Sequence, residues 1–117
     1  MGSLLLVISR APYDGTDVAW NALRLAGAAL EEGMGVRLFL MNDGVDLARQ
    51  GSRPEGSEFD LQEMLRKVIA DGAEVKLCQT CLTRCGIGSG ETMPEAQTAG
   101  MKDLVAWIKD SEKVLSF

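Results

Sequence analysis

Apolar residues recur along this chain in two distinct rhythms. Leu4-Leu5-Leu6-Val7-Ile8 is an uninterrupted apolar run, the pattern of a strand buried on both faces. Val36-Arg37-Leu38-Phe39-Leu40-Met41 predicts a second strand, closed by the turn residues Asn42-Asp43-Gly44. Glu74-Val75-Lys76-Leu77 alternates polar and apolar positions and predicts a third. Between these runs the rhythm changes to helical. Asp17–Glu32 is rich in Ala and Leu, is preceded by the candidate caps Asp14-Gly15-Thr16-Asp17, and stops at Gly33. It is apolar over most of its girth, so it should be covered on the sheet side and again by a second subunit. Leu61, Met64, Leu65, Val68 and Ile69 follow helical spacing, with Asp60 and Glu63 as a capping box and Gly72 as the stop. Met101, Leu104, Val105 and Ile108 form a last amphipathic face with Trp107 beside them, and Lys113–Phe117 closes the chain as a strand.

Two stretches carry weaker patterns. Val45–Glu58 holds Gly51, Ser52, Pro54, Gly56 and Ser57 and predicts a long mobile surface loop. Thr92–Thr98 admits a short strand, although Pro94 argues against a central one. Strands separated by helices imply a single α/β domain over residues 1–117. The expected architecture is a three-layer sandwich around a mostly parallel sheet of four to five strands, flavodoxin-like, with right-handed crossovers. Ligands of such folds sit outside the carboxyl ends of the strands. Three segments should therefore line one rim: Arg10–Asp14, Asn42–Gly44, and Cys78 onward.

Composition narrows the function. The 117 residues suit one core, which at this size removes roughly two-thirds of the unfolded surface from water. A formal charge of −5, with no clustered basic surface, argues against direct nucleic-acid binding. The longest apolar run is too short to span a membrane, and it lacks the basic flank of a signal peptide. Met1-Gly2-Ser3 resembles a myristoylation start, but Leu6 stands where Ser or Thr is needed. A cytoplasmic protein is expected. Histidine is absent, which removes the usual catalytic base and the commonest metal ligand.

The chemistry-bearing segment is Cys78-Gln79-Thr80-Cys81-Leu82-Thr83-Arg84-Cys85-Gly86. All three cysteines of the chain lie here, too close together for a disulfide framework and in the pattern of a reactive thiol or a metal site. Cys78 follows a strand and opens a helix, where free amide groups favour the thiolate, the nucleophilic form. It is expected at the exposed mouth of the sheet. Cys81 lies one turn on, placed to resolve a sulfenic acid or a persulfide, and Cys85 a further turn on. Arg84 supplies a fixed positive charge near an anionic sulfur; Asn42-Asp43-Gly44 reads first as a turn, and the rival reading has Asn42 or Asp43 facing the thiol across the rim. Gly86-Ile87-Gly88-Ser89-Gly90 lacks the context of a nucleotide loop and reads as a hinge over the cysteines. No cofactor is implied.

The chain resembles the DsrE/DsrF-like family, which includes the TusD-type sulfur-relay proteins. The resemblance runs through Leu4–Ile8 with Asp14-Gly15-Thr16, Gly35–Val45, Gly72-Ala73 with the cysteine segment, Gly100-Met101, and Val114-Leu115-Ser116-Phe117. It implies a DsrE-like fold, and a sulfur carried as a persulfide on the cysteine after the third core strand, the position of Cys78. Cys81 would then be the second cysteine of a Cys-x-x-Cys form. Arg84-Cys85-Gly86 departs from the family's basic residue followed directly by glycine. The resemblance also implies homo-oligomers, trimers or hexamers, and partner proteins that donate and accept sulfur.

The leading expectation is thus a sulfur carrier or sulfurtransferase, with the Gly51–Gly56 loop regulating access. A metal module is the alternative, with Cys78, Cys81 and Cys85 holding zinc or an iron–sulfur cluster; a closed zinc site, however, needs a fourth protein ligand. A thiol–disulfide oxidoreductase using Cys78 and Cys81 and an inert binding subunit complete the set.

Overall fold

The computed structural model describes residues 2–117. Five strands form one sheet in the order β4-β3-β2-β1-β5. They are β1 (Ser3–Ile8), β2 (Gly35–Leu40), β3 (Glu74–Cys78), β4 (Gln97–Ala99) and β5 (Lys113–Ser116). Every neighbouring pair is parallel. The helices are α1 (Val18–Glu31), α2 (Leu61–Ala70), α3 (Gln79–Arg84) and α4 (Met101–Asp110), and the architecture is the expected three-layer α/β sandwich.

The buried run Leu4-Leu5-Leu6 suits β1 to an interior position, paired to β2 on one side and β5 on the other. α1 and α2 lie side by side on one face of the sheet, with Ala22, Leu23, Ala26, Leu65 and Val68 turned inward. α4 covers the other face. Its Trp107 meets Phe39 edge-on at 6.4 Å, and the cations of Arg37 and Lys76 lie over the same indole ring. Chain order runs β1 to β4 outward across the sheet, and α4 then carries the chain back to pair β5 with β1. The strand order reverses between β1 and β5.

Several expectations need correction. Part of the apolar girth of α1 is met by α2 and by Phe59, whose ring stacks on Trp20 at 5.1 Å, while Leu25 on the same helix stays exposed. On α4 the inward residues are Leu104 and Trp107, whereas Met101, Val105 and Ile108 are exposed. The large indole occupies the space over Phe39, which turns the helix so that Leu104 alone of the expected stripe faces inward. The β2–α2 connection is not one surface loop: Asn42–Ala48 is a 3-10 helix with Val45, Leu47 and Ala48 buried. Asp14–Asp17 does not cap α1 through Asp17; Asp14 instead accepts from the Thr16 amide at 2.9 Å and hydroxyl at 2.6 Å. Asp60 does cap α2, accepting from the Glu63 N–H at 3.1 Å.

No helix among the described residues is long and apolar enough to cross a membrane.

Candidate functional site

Cys78 is the last residue of β3 and the cap of α3, so one side chain belongs to both elements. Its sulfur accepts the backbone N–H of Cys81 at 3.4 Å, filling the role that an oxygen plays in most helix caps. Exposure is where expectation fails. Cys78 is only 3% exposed and belongs to the hydrophobic core. It is covered because β4 pairs alongside, with Ala99 in register beside Cys78, so the end of β3 is not open at the edge of the sheet.

Exposure rises along α3. Cys78 is buried, Cys81 is half-buried and Cys85 is exposed, all three as free thiols. The Cys81 sulfur accepts the backbone N–H of Asn42 at 3.1 Å. That donor is aimed by an unusual backbone: Asn42 has φ +50°, in the left-handed region that asparagine tolerates better than most residues. The contact to the thiol is therefore made by the main chain of Asn42. Burial pushes the Cys81 thiol above its ordinary pKa, and a hydrogen bond with the Cys78 sulfur adds to this. The Asn42 N–H and the positive charge of Arg84 act the other way and favour the thiolate.

The three rim segments do come together. A cavity of about 510 Å³ is lined by Ala11 from the loop after β1, Asp43 from the 3-10 helix, and Cys85 with Gly86 and Ile87. Val45, Asp46, Arg49 and Glu91 complete its wall, four residues that no spacing in the sequence singles out. Arg49 pairs with Asp46, which takes up its charge. A smaller recess of about 150 Å³ joins Asn42, Asp43, Cys81, Arg84 and Cys85. Arg84 makes no ion pair among the described residues. Arg10 and Asp14 stay outside both spaces, paired with each other at 3.1 Å.

The glycine-rich segment is not a free hinge. Gly86, at φ +73°, ends α3: its N–H reaches the Thr83 carbonyl at 3.1 Å, and the Ile87 N–H reaches Leu82 at 2.9 Å. This double bond pattern is the standard left-handed helix stop, which only glycine adopts without strain. The Gly88 N–H is then held by the Glu91 carboxylate.

Nor do the thiols converge as a metal centre requires. Among the described residues no group of three cysteine or carboxylate side chains is placed to hold an ion. The chain path gives the reason: Cys78 is tucked beneath the start of α3 while Cys85 lies beyond its last turn, so their sulfurs face different surroundings.

Comparison with known proteins agrees with the fold. The model of the DsrE/DsrF-like family matches residues 2–117. The uncharacterized protein MK0008 of Methanopyrus kandleri is 41% identical over 114 residues, covering 97% of this chain and 93% of its own length. YchN of Escherichia coli K12 is 34% identical over 119 residues, covering both chains in full. The crystal structure of YchN superposes with a TM-score of 0.90 over the whole of both chains. A protein of unknown function from Methanobacterium thermoautotrophicum, MTH1491, shares the fold at a TM-score of 0.75 with 12% identity, again over both full chains.

Proposed function

The chain belongs to the DsrE/DsrF-like family, and on that footing we propose that it is an intracellular sulfur carrier, holding sulfane sulfur as a persulfide on Cys78 and passing it to a partner thiol. One observation carries this reading. Cys78 ends a core strand at the carboxyl rim with its sulfur on an amide donor and a second thiol one helical turn away. A thiolate attacks the outer sulfur of a donor persulfide; the S–S bond of the donor breaks, and its thiolate leaves and takes up a proton. The reverse step loads the acceptor. No net oxidation occurs, so no redox cofactor is needed.

The surroundings suit a carrier. A persulfide is anionic and readily stripped by passing thiols, so a site that shields it while offering a backbone donor prolongs its life. Cys78 has both properties. Arg84, unpaired beside the recess, favours anionic donors. Donor and acceptor proteins and self-association, as a trimer or hexamer, belong to the same proposal. The exposed apolar residues Leu25, Met101, Val105, Ile108, Val114 and Leu115 would be covered by such contacts.

Incubation with a persulfide donor followed by mass spectrometry tests it. The wild-type chain should gain one reducible sulfur atom, and Cys78→Ser should fail to retain it after excess donor is removed. Retention by Cys78→Ser equal to that of the wild type would refute the assignment.

A further inference from the structure

A buried acceptor poses a delivery problem. At 3% exposure the Cys78 sulfur cannot be reached by a donor carrying its persulfide on a peptide or protein, because attack on a disulfide-type sulfur requires near-linear approach of the two reacting atoms. Yet two further thiols follow Cys78 in sequence, and exposure rises in order from Cys78 through Cys81 to Cys85. We propose that the three cysteines form a transfer ladder, in which Cys85 receives sulfane sulfur from the donor, Cys81 relays it, and Cys78 holds it. The proposal rests on the carrier reading above and adds direction and route to it.

Spacing supports each rung. Cys81 and Cys85 are four residues apart on one helical stretch, closed by the bond from the Cys85 N–H to the Cys81 carbonyl at 2.9 Å. Residues so spaced lie on the same face with Cβ atoms about 5–6 Å apart, within reach of S–S contact. Cys78 and Cys81 are three apart, and the Cys78 sulfur already accepts the backbone N–H of Cys81 at 3.4 Å. The outer end is also the open one. Cys85 lines both the larger cavity and the small recess, whereas Cys81 lines only the recess. Unpaired Arg84 stands beside Cys85 to attract an anionic donor.

The chemistry balances at every rung. Donor persulfide and the Cys85 thiol give donor thiol and Cys85 persulfide. The Cys81 sulfur then attacks the outer sulfur on Cys85, the S–S bond to Cys85 breaks, and the proton lost by Cys81 passes to the departing Cys85 thiolate. The Asn42 N–H at 3.1 Å supports Cys81 during the moment it is anionic. The same exchange moves the sulfur from Cys81 to Cys78. Each step trades one persulfide for another, with no electrons gained or lost.

Trypsin separates the rungs, since cleavage after Lys76 and Arg84 leaves Cys78 and Cys81 on one peptide and Cys85 on the next. The full chain is exposed briefly to glutathione persulfide, alkylated and digested, and each peptide is weighed for added sulfur. In the wild type the sulfur should appear on the Cys85 peptide first and on the 77–84 peptide later. In Cys81→Ser it should stay on Cys85, with loading of Cys78 slowed by roughly tenfold to a hundredfold, the scale of losing a positioned reactant. Cys85→Ser, a change at an exposed position, should slow loading of the inner pair to a similar degree.

If Cys78 loads at the wild-type rate in both variants, the ladder is overturned while the carrier reading stands. If the wild-type chain takes up no sulfur on any peptide, the carrier reading falls and takes the ladder with it.

Discussion

The two halves of the β2–α2 connection both carry glycine and charged residues, yet they have opposite structures. Residues 42–48 are packed against the end of β1, with Val45, Leu47 and Ala48 buried; residues 51–58 stand in solvent apart from the half-buried Ser52 and Ser57. Their glycines show the contrast best. A Cβ at Gly44 would run into the carbonyl oxygen of Ile8 and lie 2.8 Å from its carbonyl carbon, both backbone atoms that cannot turn aside. A Cβ at Gly51 or Gly56 would meet nothing within 4 Å. The first half is scaffold for the thiols, because it fixes the Asn42 N–H on Cys81; the second is free to differ without disturbing them. Glycine content alone does not distinguish a loop that moves from one that is clamped.

Substitutions can break or sharpen that contrast. Gly44→Ala should have the largest effect, about 3 kcal/mol or more, because backbone must shift to relieve the overlap; a denaturant titration measures it. If Gly44→Ala were as stable as the wild type, the packing of the 3-10 helix on β1 would be wrong. Gln62→Ala comes next. The buried Gln62 amide donates to the carbonyls of Leu47 at 3.2 Å and Arg49 at 2.9 Å, which ties the end of the 3-10 helix to α2. Its removal leaves two carbonyls without that donor and should cost about 1–3 kcal/mol. Gly56→Ala should be the mildest. With φ +79° and open space around it, only the left-handed backbone opposes a side chain, at about 1 kcal/mol. Thermal melting of the three variants side by side should reproduce this ranking.

Much of this molecule is written in local patterns. The continuous run Leu4–Ile8 and the helical spacing of Leu61 to Ile69 locate β1 and α2 to within a few residues. The rest depended on partners distant in sequence. The 3-10 helix escaped because three residues per turn leave no amphipathic signature over seven residues, and Asp43 and Asp46 masked the buried Val45 and Leu47. The depth of Cys78 was invisible for a related reason. It is set by β4, whose three residues follow Pro94 in the least patterned part of the chain, and whose Ala99 lies in register with Cys78. Similarly, the donor on Cys81 comes from a left-handed Asn42 that sequence spacing marks only as a turn. The clustering of the cysteines was legible; their order from inside to outside was not.

That order gives the account its sharpest test. The sulfur-loaded chain, freed of donor, is treated with cyanide, which removes sulfane sulfur as thiocyanate, once folded and once in denaturant. Slow release from the folded chain and rapid release after unfolding is the result expected of a persulfide sheltered on Cys78. Equal rates in the two states, or no thiocyanate in either, would contradict it.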